Sequence, residues 1–296
     1  MSQHWYSVAG FSVGRVGFGA MQLPGPGAFG PPRDRDQALT VLRRALELGV
    51  NHIDTAQYYG PAIANELIRE ALYPYPQNLA LVSKVGGRRD EGGAWLPAQE
   101  PEELRAGIED NLRTLGIDQL AVVNLRVGAE NSDPNHPGPV NRELFVRQLA
   151  AMIRARDEGL IAGIGLSNIT LDHLRIALGR TDIACVQNAY NLVDRTSQPV
   201  LDACTEHGIA FVPFFPLGSS FAADNPVLGN TVIQRTAKDL DRTPAQIALA
   251  WTLAIAPNVL LIAGTSSVAH LEENIAAADI ELDQTIVHEI DAAAQS

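Results

Sequence analysis

Six polar positions stand where apolar segments end. Asp54 closes the run 52–54, Lys84 closes 79–84, and Arg126 follows 120–125. Ser167-Asn168 ends 163–167, Gln187-Asn188 ends 184–187, and Gly264-Thr265-Ser266-Ser267 follows 260–264. Taken singly, an Asp before a Thr is a helix cap or turn former, and a Lys at a strand end is a solvated charge. Collected on one rim they make a site that holds a carboxylate, an ammonium and a guanidinium beside hydrogen-bonding amides and hydroxyls. Such groups move protons or stabilise developing charge.

The elements that must position them follow from the hydrophobic pattern. Short runs rich in Val, Ile and Leu at 15–19, 52–54, 79–84, 120–125, 163–167, 184–187, 210–214 and 260–264 are nearly continuous in apolar character. Strands buried on both faces read that way. Between them lie segments of helical period. Residues 36–48 place Leu39, Leu42 and Leu46 on one stripe before Gly49, and 102–115 does the same with Ile108, Leu112 and Leu115 before Gly116. Thr243-Pro244-Ala245-Gln246 is a capping box with proline at the first helical position, opening a helix over 245–256. Thr170, 194–196 and Ser266-Ser267 are further start signals. Eight strand-helix units point to an α/β fold, a (β/α)8 TIM barrel spanning 1–296 as a single domain, in which every strand end named above lies on the same face. A doubly wound open sheet is the alternative, because strand order is not written in a sequence.

Composition narrows the function. The chain has 296 residues, 46% hydrophobic and 19% charged, with a net charge of −12. That acidity repels phosphate backbones and anionic lipid, and no basic patch offsets it, so neither nucleic acid nor membrane is an expected partner. The only cysteines, Cys185 and Cys204, lack metal spacing, and reduced thiols fit a cytoplasmic protein. The seven histidines are scattered, so no metal site is expected. Gly25-Pro26-Gly27-Ala28-Phe29-Gly30 matches G-x-G-x-x-G, but it carries a proline and joins no strand to a helix, so it reads as a loop. No G-x-S-x-G elbow is present.

The stretches His52-Ile53-Asp54-Thr55-Ala56-Gln57-Tyr58-Tyr59-Gly60, Val82-Ser83-Lys84-Val85 and Gly163-Ile164-Gly165-Leu166-Ser167-Asn168 resemble signatures of the aldo-keto reductases. Gln187-Asn188-Ala189-Tyr190-Asn191 and Ile262-Ala263-Gly264-Thr265-Ser266-Ser267 through Glu273-Asn274 extend the likeness in the right order. The resemblance implies a nicotinamide-dependent carbonyl reductase, with Tyr59 as general acid and Asp54 and Lys84 as its partners. A neighbouring ammonium favours an ionised phenol, whose ordinary pKa is about 10, and so eases proton release. Most relatives carry His after the fourth strand; here that position is Arg126, which holds its proton at any working pH. Its implied role is orientation and oxyanion stabilisation, leaving Tyr59 the sole proton donor. Segments around Arg126, 19–23, 29–32 and 213–218 resemble the bacterial pyridoxal reductase branch, implying reduction of pyridoxal to pyridoxine. Another small aldehyde, sugar or ketone, or a cofactor-bound regulatory subunit with little turnover, are the alternatives.

The resemblance also places the cofactor. Ser167, Asn168 and Gln187 hold the nicotinamide carboxamide, and Phe214 stacks on the ring. Ala20 and Met21 lie beside it, and Leu217, Gly218 and Ser219 open the loop over the pyrophosphate. Gly264, Thr265, Ser266, Ser267, His270, Glu273 and Asn274 meet the adenosine end. His270 stands where many relatives use Arg for the 2′-phosphate, and a neutral His is a weaker anion partner, which leaves NADH open; the hydroxyls of Thr265, Ser266 and Ser267 partly compensate, so NADPH is favoured. Phe29, Tyr58 and Trp95 are the expected substrate contacts.

Overall fold

The computed structural model describes residues 5–128, 136–218 and 225–293. Its strands are β1 (Trp5–Val8), β2 (Phe11–Gly14), β3 (Phe18–Gly19), β4 (His52–Asp54), β5 (Ala80–Val85), β6 (Gly87–Arg89), β7 (Trp95–Pro97), β8 (Leu120–Arg126), β9 (Ile161–Ser167), β10 (Cys185–Gln187) and β11 (Ala210–Phe211). The main helices are α1 (Arg35–Glu47), α2 (Ile63–Leu72), α3 (Pro101–Leu115), α4 (Arg142–Asp157), α5 (Leu171–Leu178), α6 (Gln198–Glu206), α7 (Thr231–Asp239), α8 (Pro244–Ala254), α9 (Val268–Ala276) and α10 (Gln284–Ala293).

Seven strands form one parallel sheet in the order β11-β10-β9-β8-β5-β4-β3. The expected eighth strand, 260–264, is a correction: it is extended chain held by isolated parallel bridges, Phe211 to Val259 on one side and Val16 to Leu261 on the other. The Gly17 amide donates to the Leu261 carbonyl (2.8 Å) and the Leu261 amide to that of Arg15 (2.7 Å). These bonds bring the two sheet edges together, so the sheet curls into a barrel of TIM type. Glycine is required at this seam: a β-carbon on Gly19 would sit 2.4 Å from the Ile262 carbonyl oxygen, and one on Gly264 2.4 Å from that of Gly19. The first and seventh strands are likewise shorter than 15–19 and 210–214, because closure replaces ladder pairing with single bridges there.

Helix ends follow their sequence signals. Asp34 caps α1, Glu100 and Glu103 form the capping box of α3, and Thr243 with Gln246 that of α8. Thr170 caps α5 and Ser267 caps α9. The start expected at 194–196 falls later, with Ser197 at the N-cap of α6. The greater part of the core lies between sheet and helices. A second cluster sits inside the barrel, where the hairpin β1–β2 inserts Val8 and Val13 against Val82, Val122 and Leu260. Among the described residues no helix is long and apolar enough to cross a membrane.

Candidate active site

Parallel register carries each polar strand end to one rim. Asp54 pairs with Gly19 and Val82, Lys84 with Asn124, Arg126 with Ser167, and Ser167 with Gln187. A cavity of about 940 Å³ opens there. Asp54, Tyr59, Lys84 and Arg126 all line it, as do the expected substrate contacts Phe29, Tyr58 and Trp95. Of the expected cofactor residues, Met21, Asn168, Phe214, Leu217, Gly218, Gly264 and Asn274 line it too. Ala20, Ser167, Gln187, Thr265, Ser266, Ser267, His270 and Glu273 are not on its wall, and Ser219 lies outside the described residues.

The charged centre is buried. Lys84 and Asp54 are 5% and 2% exposed and form a direct ion pair. Lys84 Nζ also donates to the Thr55 carbonyl (3.2 Å), and Gln187 Nε2 donates to Asp54 Oδ2 (2.6 Å). Such a pair persists in low dielectric when further hydrogen bonds support it, and the carbonyl and the amide supply two. The ammonium stands 5.2 Å from the centre of the Tyr59 ring. Arg126 donates to Ser167 Oγ (3.4 Å), and its guanidinium carbon lies 5.3 Å from the Phe214 ring centre.

Burial raises the Tyr59 phenol above its ordinary value; Asp54 adds to the rise, while Arg126 and Arg89 oppose it. Desolvation dominates that rise, and the two arginines supply the opposing pull. Tyr58 is raised as well, first by burial and next by Tyr59, with Lys84 and Arg126 opposing. Its hydroxyl has no hydrogen-bond partner among the described residues. Asn168 sits in the left-handed region at φ 57°, which asparagine adopts more readily than most side-chain-bearing residues. Its amide donates to the Val127 carbonyl (3.1 Å), leaving Oδ1 buried without a partner among the described residues, as is Oε1 of Gln187.

At the adenosine end proposed from the sequence, Ser267 caps α9 by accepting from the His270 amide (3.4 Å), and Thr265 Oγ1 accepts from the Ser267 amide (3.0 Å). Ser266 and His270 are exposed and Asn274 is buried.

Arg89 is a site residue that sequence reasoning missed. It sits on the hairpin β6–β7, with its guanidinium carbon 3.3 Å from the centre of the Trp95 ring. It donates to the carbonyls of Gly93 (2.5 Å), Gly27 (2.6 Å) and Ala28 (3.3 Å), so one side chain ties the loop after β3 to the hairpin across the cavity mouth. Trp95 in turn meets Tyr58 edge-on at 5.4 Å. Arg89→Met keeps the stem and loses the bonds. It is expected to raise KM for an aldehyde substrate about 3- to 10-fold, the effect of losing roughly one net hydrogen bond, with kcat changed less than about 2-fold. Steady-state kinetics check the split.

Among the described residues no cluster of His, Cys, Asp and Glu could hold a metal ion. The Aldo/keto reductase family model matches residues 15–295. Over 291 residues, 98% of this chain and 98% of the relative, the sequence is 48% identical to pyridoxine 4-dehydrogenase of Escherichia coli (strain K12). It is 39% identical to an oxidoreductase of Schizosaccharomyces pombe over 94% of this chain and 86% of the relative. Among solved structures, a thermostable aldo-keto reductase in complex with the inhibitor epalrestat superposes with a TM-score of 0.79 at 26% identity, covering 98% of this chain and 99% of that one. An aldo-keto reductase of Klebsiella pneumoniae in complex with NADPH gives 0.78 at 24% identity, covering 99% and 95%. With the family pattern running from the first barrel strand almost to the C-terminus, the chain is an oxidoreductase that belongs to the aldo/keto reductase family.

Proposed function

We propose that the protein reduces pyridoxal to pyridoxine with NADPH, and runs the reverse oxidation through the same groups. The observation that carries this reading is the convergence of Tyr59, Lys84, Asp54 and Arg126 on one cavity at the barrel rim. Aromatic walls at Phe29, Tyr58 and Trp95 suit a flat ring. The likeness to pyridoxine 4-dehydrogenase supports the same substrate.

The residues fit the cofactor. Among the described residues Asn168 Oδ1 and Gln187 Oε1 are buried acceptors lacking donors, and a primary carboxamide brings two N–H groups. They would hold the nicotinamide, with Ser167 beside them and the Phe214 face available to its ring. Ala20, Met21, Leu217 and Gly218 would flank it. Gly264, Thr265, Ser266, Ser267, His270, Glu273 and Asn274 would take the adenosine end, where the first amides of α9 favour a phosphate. When bound, the reduced cofactor supplies a hydride to the carbonyl carbon.

This chain's own residues then manage the charge that grows on the carbonyl oxygen. Tyr59 gives its phenolic proton to that oxygen, and Arg126 donates hydrogen bonds toward it. Asp54 fixes the Lys84 ammonium beside the Tyr59 ring, where it favours the phenolate left by proton transfer. The apolar wall keeps water from competing.

Because burial raises Tyr59, its acid form outlasts an ordinary phenol. Reduction needs that acid form, so its rate is expected to stay level through pH 9 and to fall only above pH 10. A pH profile with an aromatic aldehyde that has no ionisation of its own checks this; a fall below pH 9 would assign the proton to another group. The function itself is tested by following NADPH oxidation against a panel of aldehydes, sugars and ketones. Pyridoxal is expected to give a kcat/KM at least tenfold above the rest. NADPH binding without turnover on any of them overturns the reading in favour of a regulatory subunit.

A further inference from the structure

Behind the rim, off the cavity wall, a buried polar network joins α2 and α3 to the chain segments that carry the site. Its centre is Asn111 of α3, which is 0% exposed. Its Nδ2 donates to Gln57 Oε1 (3.0 Å) and to the Gly107 carbonyl (2.8 Å). Its Oδ1 accepts from Ser83 Oγ (2.6 Å) and from Asn65 Nδ2 (2.9 Å). All four hydrogen-bonding valences of the amide are thereby used. Asn65, also 0% exposed, accepts from Thr55 Oγ1 (2.8 Å) and donates to Thr114 Oγ1 (2.9 Å).

The partners are the sequence neighbours of the site. Thr55 follows Asp54, Ser83 precedes Lys84, and Gln57 precedes Tyr58-Tyr59. Side chains alternate along a strand, so Lys84 turns into the barrel while Ser83 turns out to α3. Packing a helix on a sheet requires no such network, since apolar side chains do it without the penalty that any unmatched amide carries in low dielectric. Hydrogen bonds supply direction, which apolar contact lacks. One amide therefore references the Asp54, Lys84 and Tyr59 segments to a single point.

We propose that Asn111 is a positioning residue for the reaction: through Ser83, Asn65–Thr55 and Gln57 it sets where the Lys84 ammonium, the Asp54 carboxylate and the Tyr59 hydroxyl stand relative to one another. This rests on the reading of Tyr59 as the proton donor. Asn111→Ala lowers kcat because the proton donor loses its aim, and leaves nucleotide affinity alone because no side chain of the network is among those assigned to the nucleotide. A merely structural asparagine makes a good contrast. Asn258 is 2% exposed at the opposite end of the barrel, donating to the Ile209 carbonyl (2.8 Å) and accepting from Thr205 (2.9 Å).

The test measures kcat with pyridoxal, the NADPH dissociation constant by fluorescence titration and the urea midpoint. The variants are Asn111→Ala, Asn258→Ala, Tyr59→Phe and the double variant Asn111→Ala/Tyr59→Phe. Expected are a tenfold or greater fall in kcat for Asn111→Ala with NADPH binding within 2-fold, and less than a 2-fold effect of Asn111→Ala once Tyr59 is Phe. Asn258→Ala lowers the urea midpoint with kcat within 2-fold. Should Asn111→Ala not fold, Gln57→Met removes the link to the tyrosine segment, together with a long bond from Gln57 Nε2 to the Gly87 carbonyl (3.5 Å), and about a 3-fold fall in kcat is expected. Undiminished kcat in folded Asn111→Ala or Gln57→Met, or equal effects of Asn111→Ala with and without Tyr59, overturns the proposal. Full activity in Tyr59→Phe overturns the proton-donor reading, and the proposal with it.

Discussion

Tyr59→Phe is expected to lower kcat for pyridoxal reduction by roughly 10²- to 10⁴-fold, the usual worth of a positioned general acid, or about 3–5 kcal/mol of barrel-rim catalysis. The phenyl ring fills the same space, so KM and the NADPH dissociation constant should move less than about 2-fold. Arg126→Met is expected to cost about 100-fold, the lower end of what one lost hydrogen-bond donor to a developing oxyanion costs. The ordering matters more than either figure. Arginine cannot release its proton at any working pH, so its loss weakens charge stabilisation but leaves a proton donor in place. Equal losses at the two positions would contradict that division. Tyr58→Phe supplies the internal comparison: its neighbour shares the burial and the raised phenol, yet a loss matching that of Tyr59→Phe would move the proton to the wrong tyrosine.

Lys84→Met is expected to cost about 3–5 kcal/mol of stability as well as activity, because it strands the Asp54 carboxylate without its counter-charge. Asp54 is 2% exposed and keeps only the Gln187 amide among its side-chain partners in the described residues. Asp54→Asn combined with Lys84→Met should recover at least half of that stability, since the neutral amide still accepts from Gln187. Activity should stay low, because neither change restores a cation beneath Tyr59. Urea midpoints and NADPH oxidation rates on the single and double variants separate the two effects. A double variant as unstable as the single one would show that the buried charge is not the source of the cost.

Much of the site was legible because strands buried on both faces read as continuous apolar runs. A charged residue at the end of such a run has no packing reason to be there, and Asp54, Lys84 and Arg126 declare themselves that way. Parallel pairing then brings them to one rim whatever the strand order. Other features leave weaker traces. The eighth strand is two isolated bridges, since barrel closure depends on contacts between Val16, Phe211 and residues 259–261 that no local pattern encodes. The hairpin β1–β2 does have a signal, an Ala9-Gly10 turn with both residues at positive φ (49° and 85°) between two short β-rich runs. The hairpin β6–β7 has almost none: Gly87-Arg88-Arg89 and Trp95-Leu96-Pro97 show no useful alternation, and Arg89 acquires its role only when the loop after β3 folds over it. Asn111 is the residue most open to a closer reading. It falls on the buried stripe of α3 with Leu104, Ile108 and Leu115, and a lone amide inside an apolar stripe must find partners.

A crystal structure with NADP+ and pyridoxine bound together bears most directly on the claim that Tyr59 exchanges the proton at this rim. The alcohol oxygen on the carbon that becomes the aldehyde is predicted to lie within about 3 Å of Tyr59 Oη, the reach proton transfer requires, with an Arg126 nitrogen at similar range. An oxygen held instead by Tyr58, or set apart from Tyr59 by more than one water, would contradict it.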